Sequence, residues 1–241
     1  MADQRTATEV AHAHAVREMF SGIARRYDLL NHVLSLNIDK RWRRLVRRQL
    51  LEVLDREEAT VLDVACGTGD LSIELKRGAK SRVVGSDFCR PMLEIAREKT
   101  AEIGLSIPYV KGDALDLPFD DFSFDAVTIA FGLRNLSSFA SGLSELRRVL
   151  KHGGKLVILE FSTPLVPGFR GLFRLYFTEV LPRIGGLISG SRGAYEYLPD
   201  SVSKFPDQKT LAGLLQETGF SEVSFMNLTG GIAALHSGTR S

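Results

Sequence analysis

The first strand-like segment of the chain runs directly into a glycine loop, in residues 61–70 with the sequence VLDVACGTGD. The aliphatic residues around Asp63 predict a buried strand, and Gly67 and Gly69 allow the backbone to turn sharply and to approach a ligand closely. In α/β folds such a loop lies at the carboxyl edge of the sheet, where ligands bind. The segment therefore predicts an α/β fold with a ligand site at that edge.

Strand-like and helix-like segments alternate through the rest of the chain. The predicted strands are residues 60–65, 82–86, 108–111, 124–130, 155–161, 222–227 and 232–236, and the predicted helices are residues 71–77, 91–103, 138–150 and 206–218. This alternation predicts a sheet with helices on both faces. Gly230 and Gly231 predict a tight turn, and the resulting C-terminal hairpin would place one antiparallel strand in an otherwise parallel, seven-stranded sheet.

Two segments depart from this alternation within the single domain that we predict for residues 1–241. Residues 1–54 are predicted to form an N-terminal helical cap, because apolar residues recur at helical spacing from residue 16, and residues 1–15 are expected to be frayed. Residues 166–204 are predicted to be an insertion near the substrate. Its aromatic and glycine-rich part is either a packed helical lid or an apolar wall for a substrate or a membrane.

Composition and cysteine content limit the classes of protein to which the chain can belong. A hydrophobic content of 44% and a charged content of 25% are ordinary for a globular domain. Cys66 and Cys89 lack a zinc-like spacing, and His12 and His14 would point to different faces of a helix, so no metal site is predicted. With no disulfide framework, signal-like start or long apolar stretch, the chain is predicted to be cytoplasmic.

Six basic residues are clustered within one short stretch of the predicted helical cap: Lys40, Arg41, Arg43, Arg44, Arg47 and Arg48. Such a cluster is either a solvated helix face or a surface that contacts anionic lipid headgroups at the inner face of a membrane. Nucleic acid is disfavoured as a partner, because no recognisable binding module accompanies the cluster. A homodimer is left open.

Acidic residues follow the second and third predicted strands. Asp87 lies about 20 residues after the glycine loop, the spacing at which a carboxylate meets the ribose hydroxyls of a bound nucleotide. Asp113, followed by Ala114, could accept a hydrogen bond from an adenine amino group, and Phe88 could pack on the adenine ring. Taken singly, Asp113 could instead be a helix N-cap and Phe88 a core residue.

The sequence of the loop discriminates between two nucleotide-like ligands that such a site could bind. It lacks the third small residue of a dinucleotide fingerprint, and Asp70 would stand where a pyrophosphate binds at a helix N-terminus. S-adenosylmethionine (AdoMet) carries a positive sulfonium and no phosphate, so an acidic loop tolerates it. The sequence therefore predicts an AdoMet site and disfavours an NAD-dependent oxidoreductase. A methyltransferase-like scaffold without activity is disfavoured by the retained glycines and Asp87.

Three longer stretches carry a resemblance to a known family. They are residues 20–44, FSGIARRYDLLNHVLSLNIDKRWRR, residues 131–136, FGLRNL, and residues 148–164, RVLKHGGKLVILEFSTP. In these stretches the chain resembles the UbiE/MenG-type C-methyltransferases of menaquinone and ubiquinone biosynthesis. The resemblance implies a Rossmann-like class I methyltransferase fold and methylation of a ring carbon of a prenylated quinol, with demethylmenaquinol as the first candidate and its benzoquinol counterpart as the alternative. Methylation of another small apolar acceptor is also left open. The resemblance also implies AdoMet contacts at Thr68, Asp87, Asp113 and Ala114.

The implied reaction suggests roles for four residues. A quinol carbon becomes nucleophilic once the adjacent hydroxyl loses its proton, so the site needs a base or a stabiliser of the phenolate. We expect Arg134 to stabilise the phenolate, Asn135 to orient the hydroxyl, and Tyr27 to relay a proton or to seal the cofactor site. His32 is a further candidate base. Alternatively, Arg134 only fixes a loop, and Tyr27 belongs to the core.

Overall fold

The computed structural model describes residues 6–35, 37–162, 164 and 192–241. Its helices and strands, in chain order, are α1 (Ala7–Leu34), α2 (Ile38–Gln49), α3 (Leu51–Leu54), β1 (Thr60–Val64), α4 (Asp70–Lys76), β2 (Arg82–Asp87), α5 (Arg90–Glu102), β3 (Tyr109–Lys111), β4 (Phe124–Ala130), a 3-10 turn (Leu133–Asn135), α6 (Phe139–Val149), β5 (Leu150–Phe161), α7 (Arg192–Lys204), α8 (Gln208–Glu217), β6 (Phe220–Leu228), a 3-10 turn (Thr229–Gly231) and β7 (Ala233–Arg240). Of the predicted insertion, only the part in α7 lies within the described residues.

The strands form one seven-stranded sheet in the order β3-β2-β1-β4-β5-β7-β6. Strands β1 to β5 pair in parallel, whereas β7 is antiparallel to both of its neighbours, β5 and β6. The predicted sheet, mostly parallel with one antiparallel strand from the C-terminal hairpin, is confirmed. The carboxyl ends of β1, β2, β3 and β4 consequently lie at one edge.

Helices pack on both faces of this sheet, as predicted. Along β1, Val61 belongs to a core cluster that contains residues of α2, α4 and α5, whereas Leu62 belongs to a cluster that contains residues of α6 and α8. Successive side chains of a strand point to opposite faces, so this alternation divides the core into two layers. None of the described helices is long and apolar enough to cross a membrane.

Helix α1 begins earlier than its sequence suggested. Residues 7–15 were expected to be frayed, but they form the first turns of the helix. Thr6 and Glu9 form a capping box, in which the Thr6 backbone N–H donates to the Glu9 carboxylate at 2.8 Å and the Glu9 N–H donates to the Thr6 hydroxyl at 3.3 Å. This reciprocal cap satisfies N–H groups that would otherwise lack partners, and it explains why the expectation of fraying was wrong.

Strand β5 is also longer than expected. The sequence predicted a helix over residues 138–150 and a strand from residue 155, but the helix ends at Val149 and β5 already begins at Leu150. Leu150 pairs with Phe124 and Lys155 pairs with Ala126, so residues 151–154 bulge out of the ladder. Gly153 has a φ of +71°, a conformation that favours glycine at such an irregularity.

Candidate active site

The glycine loop connects β1 to α4 in a conformation that excludes larger residues. Gly67 and Gly69 have φ angles of +55° and +83°, and L-residues with side chains seldom adopt such angles. A Cβ atom at Gly69 would lie 2.5 Å from the Tyr109 hydroxyl. The Cys66 backbone N–H donates to the Ser86 carbonyl at 3.0 Å, which ties the loop to the end of β2.

A cavity opens beside this loop at the carboxyl edge of the sheet, and helix α1 covers it. The described residues that line it come from α1 and from the ends of four strands: Ala13, Val16, Phe20, Tyr27, Ala65, Gly67, Asp87, Phe88, Cys89, Met92, Gly112, Asp113, Ala114, Leu115, Ala130, Phe131, Gly132, Asn135, Leu136 and Ser137. Pockets at this edge are where open α/β sheets bind their ligands.

Asp87 presents a buried carboxylate to this cavity. Its two oxygens accept hydrogen bonds from the backbone N–H groups of Gly67 and Cys89, each at 2.8 Å. Burial raises the pKa of Asp87 to about 6, although these N–H groups favour the charged form. A carboxylate held in this way has lone pairs left for a ribose diol.

The other predicted adenine contacts lie on the same cavity. Phe88 and Ala114 line it, and Asp113 accepts a hydrogen bond from the Leu115 backbone N–H at 3.0 Å. Asp113 closes a turn rather than capping a helix, since the next helix along the chain begins only at Phe139, after a 3-10 turn. The N-cap alternative for Asp113 is therefore wrong.

The charges around the cavity explain which ligand it suits. Asp87 and Asp113 line it, and no lysine or arginine is present among its described lining residues. Asp70, expected to repel a pyrophosphate, instead begins α4, is not among the described residues that line the cavity, and is ion-paired with Lys99 at 2.6 Å and Arg43 at 3.1 Å. The acidic lining, and not Asp70, therefore disfavours a pyrophosphate in the cavity. This lining fits a cationic sulfonium.

Two of the predicted cofactor residues support the loop and do not line the cavity. Gly69 packs against Tyr109, and Thr68 is buried with its hydroxyl donating to the Asp28 carboxylate. Asp28 also accepts from the Lys99 ammonium at 2.6 Å, which links α1 to the loop and to α5. Sequence reasoning missed Asp28 and Lys99, because residues so far apart in the chain give no local signal.

Tyr27, which precedes Asp28 in α1, lies over the glycine loop. It lines the cavity, and its ring is 4.0 Å from the position that a Cβ atom on Gly67 would occupy. Its ring also meets Phe20 edge-on, with centroids 5.8 Å apart. This position is compatible with the expected sealing role. His32 is the other candidate from this helix, and its side chain is not among those that the structure describes.

Arg134 and Asn135 are placed differently from each other. Asn135 lines the cavity, whereas Arg134 does not. The Arg134 guanidinium is buried in an ion pair with Glu160 at 2.8 Å, and it also donates to the Phe131 carbonyl. Sequence reasoning missed Glu160 as this partner, although Glu160 lies within one of the three family-like stretches.

Comparison with known proteins identifies the family of the chain. The model of the ubiE/COQ5 methyltransferase family matches residues 7–240. The chain belongs to this family. The predicted resemblance is thereby confirmed, and the chain is an AdoMet-dependent C-methyltransferase.

Two relatives are similar to the chain over nearly its whole length. A demethylmenaquinone methyltransferase of Deinococcus radiodurans is 52% identical over 94% of this chain and 92% of its own. A protein of Geobacter sp. strain M21, named ubiquinone/menaquinone biosynthesis C-methyltransferase UbiE, is 47% identical over 93% of this chain and 96% of its own.

A solved structure supports the fold. A SAM-dependent methyltransferase from Thermotoga maritima aligns with a TM-score of 0.62 and 20% identity, covering 93% of this chain and 99% of its own. At this identity the likeness bears on the fold alone. The Rossmann-like methyltransferase architecture is confirmed.

The raised pKa of Asp87 predicts a pH dependence of AdoMet binding. The ribose hydroxyls and the sulfonium both favour an ionised carboxylate, so affinity should be full above the pKa of about 6 and should fall as the pH drops through it. Below this pKa we expect the Kd to rise about tenfold per pH unit. Calorimetric titration between pH 5 and 8 would measure this. Asp87→Asn should bind weakly with a flat profile, and a flat wild-type profile would contradict the assignment.

Proposed function

We propose that this enzyme transfers a methyl group from AdoMet to a ring carbon of demethylmenaquinol. The observation that carries the proposal is a single cavity that combines acids suited to the cofactor, Asp87 and Asp113, with Asn135 and Tyr27. The names of the similar proteins support this choice of acceptor. AdoMet supplies an electrophilic methyl group on its sulfonium.

The chemistry required of the protein is orientation and proton handling. Loss of the proton from a quinol hydroxyl places electron density on the adjacent ring carbon, which forms the new bond to the methyl carbon while the methyl–sulfur bond breaks. Loss of the ring proton from that carbon then restores the aromatic ring. Alignment of the two reacting carbons supplies a large part of the acceleration.

We assign roles in this reaction from the placement of the side chains. Asn135 lines the cavity and orients the quinol hydroxyl. Tyr27, a residue of α1, closes the cofactor side of the cavity. Arg134, with its guanidinium held by Glu160 at 2.8 Å, acts indirectly by holding the turn that carries Asn135. Arg134 directly precedes Asn135 in the chain and is not among the described residues that line the cavity.

The test is methyl transfer from labelled AdoMet to a short-chain demethylmenaquinol, compared with the benzoquinol precursor of ubiquinone. We expect the label on the naphthoquinol ring. The name of the Geobacter relative, which includes both pathways, makes the benzoquinol the second candidate. An enzyme that binds AdoMet but labels neither quinol would contradict the proposal.

A prenylated quinol lies in a bilayer, so we also propose reversible contact of the enzyme with an anionic membrane surface. Four residues of the basic cluster are exposed: Lys40, Arg41, Arg44 and Arg48. The remaining two are engaged, since Arg43 pairs with Asp39 at 2.7 Å and Arg47 donates to the Arg77 carbonyl at 2.9 Å. The exposed four form the candidate contact surface.

We expect replacement of all four exposed residues by glutamine to reduce binding to anionic liposomes at least 100-fold, since each basic residue near such a surface contributes about 1 kcal/mol. Co-sedimentation at low and high salt measures this. A matched control replaces four dispersed exposed residues, Arg82, Arg90, Lys111 and Lys209, by glutamine. Equal binding of the two variants would contradict the proposed surface.

A further inference from the structure

A second cleft lies behind the wall of the cofactor cavity, between the start of α1, the 3-10 turn Leu133–Asn135 and α7. Among the described residues it is lined by His12 from α1 and by Tyr197 and Asp200 from α7. Leu136 and Ser137 line both this cleft and the cofactor cavity. The two spaces therefore share a wall, and residue 135 stands next to the shared part.

Asn135 is contacted from both neighbouring helices of the cleft, its side chain from α7 and its backbone carbonyl from α1. Its Nδ2 donates to the Phe131 carbonyl at 3.3 Å, and its Oδ1 accepts from the Tyr197 hydroxyl at 3.2 Å. The Nε2 of His12 lies 3.3 Å from the Asn135 carbonyl oxygen. The amide nitrogen carries a second hydrogen, for which the described residues offer no partner. Tyr197 thus determines where this remaining donor points.

We propose that Tyr197 is a positioning residue for the methyl acceptor: from this cleft it fixes the Asn135 amide, so that the remaining Nδ2 hydrogen points to a hydroxyl of the acceptor ring bound in the cofactor cavity. The inference rests on the proposed quinol methylation. Burial raises the pKa of the Tyr197 hydroxyl, so this group stays protonated and donates to Asn135 throughout the neutral range.

The test compares Tyr197→Phe, which removes only the hydroxyl, with Ser203→Ala, which removes an exposed hydroxyl from the same helix. We expect Tyr197→Phe to raise the KM for short-chain demethylmenaquinol about two- to tenfold, the worth of one net hydrogen bond. It should change kcat less and leave the Kd of AdoMet unchanged, and Ser203→Ala should match wild type. In an Asn135→Ala background, Tyr197→Phe should have no further effect, because the two residues act through one contact.

An unchanged KM for the quinol in Tyr197→Phe would overturn the inference, and so would an equal effect in the Asn135→Ala background. Equilibrium dialysis of the same quinol in the presence of S-adenosylhomocysteine separates this inference from the proposed function. Tyr197-dependent quinol binding without methyl transfer by the wild type would overturn the proposed function alone. Methyl transfer with quinol binding independent of Tyr197 would overturn the inference alone.

Discussion

Replacement of Arg134 by alanine is expected to lower the free energy of unfolding by about 3–5 kcal/mol, because it leaves the Glu160 carboxylate buried without its cation. The side chains of Arg134 and Glu160 are only 6% and 2% exposed. Glu160 also accepts from the backbone N–H groups of Phe161, at 2.9 Å, and Arg134, at 3.3 Å, so its charge is fixed in place. Urea denaturation with and without the substitution measures the loss.

A matched control and a rescue variant isolate the cause. Arg56→Ala removes an arginine from an exposed ion pair with Asp125 and should cost less than about 1 kcal/mol. The double variant Arg134→Met with Glu160→Gln removes both charges and should recover about half of the loss or more. If Arg134→Ala were no more destabilising than Arg56→Ala, the buried ion pair would not support the turn that carries Asn135.

Replacement of Asp87 by alanine is expected to weaken AdoMet binding at least 100-fold. The variant removes an anion that would accept from two ribose hydroxyls, and each hydrogen bond to a charged group contributes about 1.5–3 kcal/mol. It also releases the Gly67 N–H, which donates to Asp87 at 2.8 Å and shapes the glycine loop. Calorimetric titration with AdoMet measures the effect.

The control for this variant is Asp116→Ala, which removes an exposed carboxylate close to the same edge of the sheet. Asp116 is not among the described residues that line the cavity, so its loss should leave the Kd of AdoMet within about twofold of wild type, as expected for a solvent-exposed charge that is screened by water and salt. Similar affinities of the Asp87→Ala variant and the wild type would remove Asp87 from the cofactor site.

The strands, the glycine loop and the succession of strands and helices along the chain were predictable because their signals in the sequence are local. Runs such as residues 61–65 and 124–130 combine β-branched and apolar residues, and a parallel sheet must bury such runs on both faces. The ends of elements were harder to predict. The bulge in β5 and the capping box at Thr6 and Glu9 depend on hydrogen bonds that compete with a simple periodic pattern.

The residues of the site were only partly predictable. Asp87 and Asp113 follow strands directly, so the topology alone brings them to one edge. Thr68 and Arg134 were predicted to be site residues from the family resemblance, but their partners, Asp28 and Glu160, lie 40 and 26 residues away in the chain. The sequence could not show that Thr68 forms a hydrogen bond with α1 or that Arg134 forms an ion pair outside the cavity lining.

By itself the sequence determined that a glycine loop and two acids stand at the carboxyl edge of an α/β sheet, since the strand period and the chain order leave little freedom there. The tertiary structure decided which side chains line the cavity. It paired Asp70 with Lys99 and Arg43, held Arg134 in its pair with Glu160, and brought Tyr197 to Asn135 from 62 residues away. These outcomes depend on burial and on partners distant in the chain, which determine whether a charge or a donor remains available to a ligand.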